Sequence, residues 1–408
     1  MKWTGSYDKC HIDHIDKKRW LFAMYTICFG IMVMLVFGRF LYYGKSFVGG
    51  ADGLSQVAPT MQYTGQYYRA LLKNILQGNL QIPMWDMSIG FGMNILQVIS
   101  FDPVYILCSA LFVHNIAIGI AIYDMLCLYL AGVMFIALCY NLGCNRYAAL
   151  AAAMAYIFNG YILNYCMAQN SFLRLFIVLP MILLGVYNVT KKNRYGIFVL
   201  AVLYNITLGP LNIYTIGIVL IFCFCMAYIF SDRKKGVADF FSYIWKPVLI
   251  YILEMLVMAV FLIPTMYKVV SGGRIGNASI NFQWLYDVSY YRSLFHGLVG
   301  IDEIGIHGYL GVTTLAVLAV VSLVTRRKKN ILEKKLCVFG IIALFLAIFP
   351  IGSYLFNGGI GFNHRFLFVL DFYLCVVLAV MFPKLFELDL REKKKLFISA
   401  VIYLSLIH

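Results

Sequence analysis

One carboxylate stands among glycines shortly after the first apolar run, Asp52 in the segment Val48–Leu54. Because Asp52 follows the end of that run by about ten residues, we expect it at the membrane surface, where a membrane-held substrate would also lie. A carboxylate within hydrogen-bond reach of a hydroxyl can act as a general base, and partial burial raises its pKa usefully. Asp52 is therefore the candidate catalytic residue; the alternative is an ordinary Asp-Gly turn.

A second acidic position follows an aromatic residue, in the pair Trp85-Asp86. An indole can stack on a sugar ring, and the neighbouring carboxylate can accept a hydrogen bond from a sugar hydroxyl. The pair predicts substrate binding; the alternative is an interfacial Trp anchor beside an Asp that caps a helix. Asp102 directly precedes Pro103, which is typical of a helix N-cap with proline in the first turn.

Cations near the same surface could bind a phosphate group. Arg365, beside His364, begins a late apolar run, and guanidinium groups bind phosphate through two parallel hydrogen bonds. Arg69 lies with Gln56 on the polar side of a predicted interfacial helix, and Arg174 begins another apolar run. We group these residues as candidate substrate contacts; the alternative for each arginine is snorkelling to lipid headgroups.

The sequence predicts neither a metal nor a cofactor. A DxD-type acidic pair does not occur in the first outer loop, and Asp302-Glu303 in the second reads more simply as a solvated surface pair than as a cation site. The 11 cysteines include no CxxC pair, so they indicate neither a zinc site nor a disulfide framework.

The elements that position these residues must lie in a membrane. Hydrophobic residues make up 62% of the 408 residues and charged residues 12%, against about 25% charged in ordinary soluble domains. The composition excludes a soluble enzyme, a nucleic-acid-binding domain, a disulfide-rich scaffold and a disordered protein. The net charge of +15 therefore indicates which side of the membrane the basic loops face, and it does not indicate nucleic-acid binding.

About eleven apolar runs are long enough to be considered membrane spans, which predicts an all-α polytopic membrane protein. The run Tyr195–Leu208 is short for a span. The predicted spans are Trp20–Leu41, Ile116–Tyr140, Tyr147–Cys166, Phe172–Val189, Tyr195–Leu208, Leu211–Phe230, Pro247–Tyr267, Tyr309–Thr325, Leu336–Ile351, Phe366–Phe382 and a last run from Leu396.

Threading these spans places the basic clusters on one face, which the positive-inside rule assigns to the cytoplasm. The N-terminus is then cytoplasmic, and we expect a multi-pass protein of the plasma membrane. The last run stops after about a dozen residues at His408, so we expect the parent chain to continue with further helices. The resulting segments are a cytoplasmic tail (1–19), a first span (20–41), an outer loop with the candidate site (42–115), a bundle (116–267), a second outer loop (268–308) and a second bundle (309–408).

The first outer loop also carries interfacial patterns. Apolar and polar residues alternate at helical spacing through Ser55–Leu80, which predicts a helix lying in the membrane interface. One span, a Gly-Gly-x-Asp-Gly loop, this helix and the Trp-Asp-x-Ser-x-Gly-x-Gly segment Trp85–Gly92 together resemble the YfhO family of bacterial membrane proteins. Asn363–Phe366 resembles the family's Arg-containing entry to a later helix, whereas Gly50-Ala51 stands where a second glycine is expected before the aspartate.

The resemblance implies a fold and an activity. YfhO proteins are similar to GT-C glycosyltransferases, which move a sugar from a polyprenyl-phosphate carrier to an acceptor hydroxyl on the outer face. It implies that Asp52 binds or deprotonates the acceptor, a cell-envelope glycan such as a polymer of teichoic-acid type, and that the lipid-linked donor is a substrate. The partners are membrane lipids, the polyprenyl-phosphate sugar and the acceptor. Alternatives are a transporter or flippase of lipid-linked precursors, or a non-catalytic scaffold.

Overall fold

The computed structural model of the protein is a helical assembly, and it describes residues 7–50, 52–207, 237–271, 283–298, 300, 302–357 and 363–407. Its first helices are α1 (Tyr7–Tyr42), α2 (Ala58–Leu76), α3 (Pro103–Leu111), α4 (Ile116–Asn141), α5 (Arg146–Ile157), α6 (Leu173–Lys192) and α7 (Gly196–Ile206). The later ones are α8 (Val237–Val257), α9 (Ala259–Ser271), α10 (Val288–Gly297), α11 (Thr314–Thr325), α12 (Ile331–Ile348), α13 (Pro350–Phe356), α14 (Phe368–Met381) and α15 (Leu390–Ile407).

Four described helical stretches are long and apolar enough to cross a membrane, and a bent pair would make a fifth. The predicted spans near Tyr195 and Tyr309 appear as the shorter apolar helices α7 and α11. The predicted span Leu211–Phe230 lies outside the described residues. The four stretches are Arg19–Tyr42, Ile116–Asn141, Asn170–Lys192 and Arg365–Phe386.

The core is formed by α4, α5, α6 and α14. In the stretches Asn170–Lys192 and Arg365–Phe386, 89% and 83% of the apolar window is buried within the protein, against 17% for Arg19–Tyr42. Helix α6 packs on α4 and α7, and α14 packs on α5 and α11. Helix α1 therefore lies at the periphery with its apolar side chains available to lipid, while α6 and α14 are central.

Two predicted spans are divided by identifiable breaks. Within Tyr147–Cys166, α5 ends at Ile157, and the Asn159 side chain then accepts a hydrogen bond from the Ile162 N–H at 2.8 Å, which starts a π-helical turn, Ile162–Cys166. Within Leu336–Ile351, α12 and α13 meet at 92°. Phe349 at this bend is extended (φ −102°, ψ 138°), as expected directly before a proline, here Pro350.

A third predicted span, Pro247–Tyr267, is formed by two consecutive helices, α8 and α9, interrupted at Met258. Pro264 lies inside α9, six residues beyond the interruption, so it does not account for it. We have no physical explanation for this break.

The first outer loop contains a helix, α2, within the predicted interfacial stretch Ser55–Leu80. A π-helical turn, Gly53–Val57, leads into α2, which begins with a proline in its first turn. A short antiparallel hairpin follows, in which β1 (Trp85–Asp86) pairs with β2 (Met93–Asn94). The predicted N-cap is confirmed: Asp102 accepts a hydrogen bond from the Val104 N–H at 2.9 Å and α3 starts at Pro103.

Candidate functional site

Asp52 lies at the start of the π-helical turn, where two glutamine amides hold its carboxylate. Oδ1 accepts a hydrogen bond from Gln56 Nε2 at 2.8 Å, and Oδ2 accepts one from Gln169 Nε2. The Asp52 side chain is half-buried. Neutral amide donors fix the orientation of a carboxylate without neutralising its charge, so Asp52 is positioned and remains able to accept a proton.

A glycine allows the two parts of the chain to meet at Asp52. A Cβ atom on Gly49 would lie 3.2 Å from the Cα of Ala168, the residue next to Gln169. The first outer loop therefore packs directly on the segment between the π-helical turn Ile162–Cys166 and α6. This close approach brings Gln169 to a carboxylate 117 positions earlier in the chain.

Arg365 lies at the same end of the bundle. Its guanidinium carbon is 5.2 Å from the ring centre of Phe172 and 5.8 Å from that of Tyr165, both within the range of cation–π attraction. The Tyr161 hydroxyl donates a hydrogen bond to the Arg365 carbonyl at 3.0 Å, which fixes the backbone. The cation is therefore held in place before any ligand binds.

The segment 302–311, at the end of the second outer loop, completes this end of the bundle. The rings of His307 and Tyr165 lie 5.6 Å apart, and the His307 N–H donates to Glu303 Oε1 at 2.9 Å. The pKa of His307 is lowered, first by burial and then by the positive charge of Arg365, while Glu303 and Asp52 act in the opposite direction. Asp52 and Arg365 therefore both lie within electrostatic range of one imidazole.

His364 ties this segment to Arg365. Its Nδ1 accepts a hydrogen bond from the Ile306 N–H at 3.0 Å, and its own N–H donates to the Ile306 carbonyl at 3.0 Å. Its ring is buried against the rings of Tyr286 and Tyr290, and burial lowers its pKa to about 4. Gly305, at φ +60°, passes so close to the His364 ring that a Cβ would overlap it. A buried neutral imidazole in this position holds the segment against the bundle.

Trp85 and Asp86 lie on the hairpin, with no described contact to Asp52. Asp86 accepts hydrogen bonds from the backbone and hydroxyl of Ser88 and from the hydroxyl of Tyr63 on α2. The Ser88 bonds, followed by the Tyr63 bond, lower the pKa of Asp86. Trp85 is 60% exposed, and one side of its ring packs on Gly92. An open aromatic face beside an ionised carboxylate suits a sugar, and the substrate-binding assignment of this pair stays a prediction.

The other two predicted arginines are separate from Asp52. Arg174 is buried at the start of α6, within electrostatic range of Tyr123 and Asp102. The Asp102 carboxylate also accepts hydrogen bonds from the hydroxyl groups of Tyr123 and Tyr204, with oxygen–oxygen distances of 2.8 and 3.0 Å. Arg69 is exposed on α2 and forms no hydrogen bond or ion pair with the described residues. Their roles as substrate contacts remain predictions.

Sequence reasoning missed Gln169, Tyr165 and His307. The two former lie inside or beside an apolar run, and His307 is isolated in the sequence, so no spacing links them to Asp52. The signal that could have been used is polar side chains at the outer ends of predicted spans. Within the described residues, no group of three or more His, Cys, Asp or Glu side chains is arranged to hold a metal ion.

The long apolar helices, with polar side chains gathered at one end of the bundle, define a helical integral membrane protein. A family model described as "Bacterial membrane protein YfhO" matches residues 24–408, so the chain belongs to the YfhO family of bacterial membrane proteins. This confirms the resemblance seen in the first outer loop. No curated protein and no solved structure matches the chain.

Proposed function

We propose that the protein is a membrane glycosyltransferase that moves a sugar from a polyprenyl-phosphate carrier to a cell-envelope glycan on the outer face. One observation carries the proposal: Asp52 and Arg365, a candidate base and a candidate phosphate-binding cation, act on the same two side chains, Tyr165 and His307. Acid–base chemistry and phosphate recognition are thus combined in one site, at an end of the bundle where lipid-linked substrates are accessible.

In the proposed reaction Asp52 acts as the general base. The acceptor hydroxyl oxygen attacks the anomeric carbon, and its proton passes to a carboxylate oxygen of Asp52. The bond between the anomeric carbon and the phosphate oxygen breaks, and its electron pair leaves on the phosphate. The products are the glycosylated acceptor and polyprenyl phosphate. A base in hydrogen-bond reach contributes about 10²–10⁴-fold to such a step.

Arg365 serves the leaving group. The second negative charge of the phosphate develops as the bond breaks, so a preorganised cation stabilises the transition state more than the ground state. The aromatic rings of Phe172 and Tyr165 restrain the guanidinium. Guanidinium N–H groups can donate two parallel hydrogen bonds to phosphate oxygens.

The proposal includes the finer architecture. We infer a GT-C-like arrangement with about eleven spans, a cytoplasmic N-terminus and the Asp52 site outside. The sugar or the acceptor, for example a polymer of teichoic-acid type, would bind to Trp85, Asp86, Gln56 and the remaining predicted contacts. The donor is a substrate, and the reaction as proposed needs no resident cofactor.

The test is Asp52→Asn, assayed by glycan modification in cells lacking the parental gene, with protein level checked by immunoblot. Asn keeps the shape of Asp, and its carbonyl oxygen can accept one of the two glutamine bonds. Its amide N–H can donate to the oxygen of the other glutamine once that side-chain amide turns over, but Asn cannot take the proton. We expect a loss of about 10²–10⁴-fold. The matched control is Asp302→Asn, an exposed outer-loop carboxylate. Glycosylation at the wild-type level by Asp52→Asn at normal abundance would contradict the assignment and favour a transporter.

A further inference from the structure

The segment 302–311 presents an acid–base pair that the proposed reaction has not yet used. His307 has a left-handed backbone (φ +58°), a conformation that costs energy for a residue with a side chain. The residue is nevertheless fixed, since its N–H donates to Glu303 and its Nδ1 lies 3.6 Å from the same carboxylate oxygen. Strain that is held in place by specific partners is a reason to look for function.

One neighbour of His307, Arg365, is a cation that can bind an anion. Tyr165 packs on its ring, and three charged groups act on it: Arg365 and Asp52 from the bundle and the first outer loop, and Glu303 from its own segment. Its side chain is 45% exposed, so one edge is accessible to a ligand. A phosphate that binds Arg365 would lie beside this imidazole.

We propose that His307, oriented by Glu303, is a second phosphate-binding residue that takes up a proton when the leaving phosphate forms. The inference rests on the proposed function, because it assigns the lipid phosphate of that reaction. The donor is a phosphodiester with one negative charge, whereas the released polyprenyl phosphate can carry two. The additional charge offsets the unfavourable effect of Arg365 on protonated His307.

The sign of the pH dependence follows from this arrangement. Without ligand, burial and Arg365 lower the pKa of His307, so the ring is mainly neutral at pH 7. A bound phosphate dianion raises it, so binding takes up a proton and is favoured at lower pH. The contribution of His307 should be present near pH 6 and should disappear near pH 8.

The experiment measures binding of farnesyl phosphate to the full chain in phosphatidylcholine nanodiscs, at pH 6 and pH 8. The variant is His307→Asn, because Asn tolerates the left-handed backbone and can still hydrogen-bond but cannot be protonated. At pH 6 we expect His307→Asn to bind about tenfold more weakly than wild type, the scale of a charge-assisted hydrogen bond. At pH 8 the two affinities should be nearly equal. A purely structural defect would weaken binding equally at both pH values.

Two further variants test the assignment. Glu303→Gln should reduce the difference between pH 6 and pH 8, because it removes the carboxylate that favours the protonated ring. His296→Asn is the matched control: this histidine pairs with Asp302 nearby, its side chain is 57% exposed, and it should behave as wild type.

The outcomes separate this inference from the proposed function. Equal affinity of His307→Asn and wild type at pH 6 would overturn the inference even if sugar transfer is confirmed. Inorganic phosphate that binds as tightly as farnesyl phosphate would overturn the assignment to a lipid carrier. The His307-dependent pH pattern without any sugar transfer would support the phosphate site and refute the glycosyltransferase.

Discussion

At the scale of single residues, the position of Asp52 depends on two amides. Gln56 is one helical turn away and Gln169 is distant in sequence, so only the folded bundle brings the second donor to the carboxylate. A carboxylate held by two donors loses little rotational freedom when substrate binds. Gln169 is therefore a positioning residue whose effect on activity should pass entirely through Asp52.

We predict that Gln169→Leu lowers sugar transfer by about 10- to 100-fold, the scale of one hydrogen bond to a charged group. In an Asp52→Asn background the same change should cost little more, because the two residues act as a unit. Rates of the single and double variants in the cellular assay measure this coupling. Gln97→Leu, which removes an amide donating to the Pro264 carbonyl, is the control. Full additivity would show that Gln169 acts independently of Asp52.

At the scale of elements, one acidic side chain connects three helices at the end of the bundle opposite Asp52. Glu333 forms a capping box with Asn330 at the start of α12 and pairs with Lys384 in the turn after α14. Arg326, just after α11, lies 4.0 Å from it. Burial alone would raise the pKa of Glu333, but its hydrogen bonds and the two cations lower it on balance. The cluster fixes α11, α12 and α14 relative to one another.

A lowered pKa in the folded state means that this carboxylate stabilises the protein above its unfolded pKa of about 4.5 and that the contribution is lost as the pH falls through the lower, folded value. We predict that Glu333→Gln lowers the melting temperature at pH 7 and that the difference from wild type disappears toward pH 3. Melting in detergent across this range is the measurement. Glu387→Gln, an exposed neighbour, should follow wild type. A difference that does not change with pH would exclude the ionised cluster as its cause.

The helices could be predicted from the sequence more completely than the residues that meet at the candidate site. Composition and apolar runs predicted the helices, and local rules predicted the Asp102 cap, because the partners in these features are close in sequence. The bend before Pro350 was readable but was overlooked in a long apolar run. Gln56 and Arg365 were among the predicted site residues, but Gln169 and His307 could not be predicted, since distant parts of the chain bring them to Asp52 only in the folded bundle. Local patterns contain no information on such contacts.

At the scale of the whole molecule, chemistry and charge lie at opposite ends of the same helices. Gln169 precedes α6 and Arg365 precedes α14, so both lie at the N-terminal ends of the two most buried of the four described stretches. Gln169 contacts Asp52 there. At or just after the C-terminal ends of the same helices lie Lys191, Lys192 and Lys384. The bundle is thus polarised along its helix axes, with a candidate acid–base and phosphate site at one end and basic clusters at the other.

This polarity gives a prediction that is independent of catalysis. If the basic end is cytoplasmic, as the distribution of Lys and Arg indicates, a single cysteine at Lys328 should be protected from a membrane-impermeant thiol reagent on intact cells. A cysteine at Asp302 should be labelled, because that residue is exposed next to the Asp52 site. Both experiments use a cysteine-free background that retains its expression level. Permeabilised cells provide the control, since position 328 should then be labelled as well. Labelling of position 328 from outside would reverse the orientation and remove the proposed outer-face site from any extracellular acceptor.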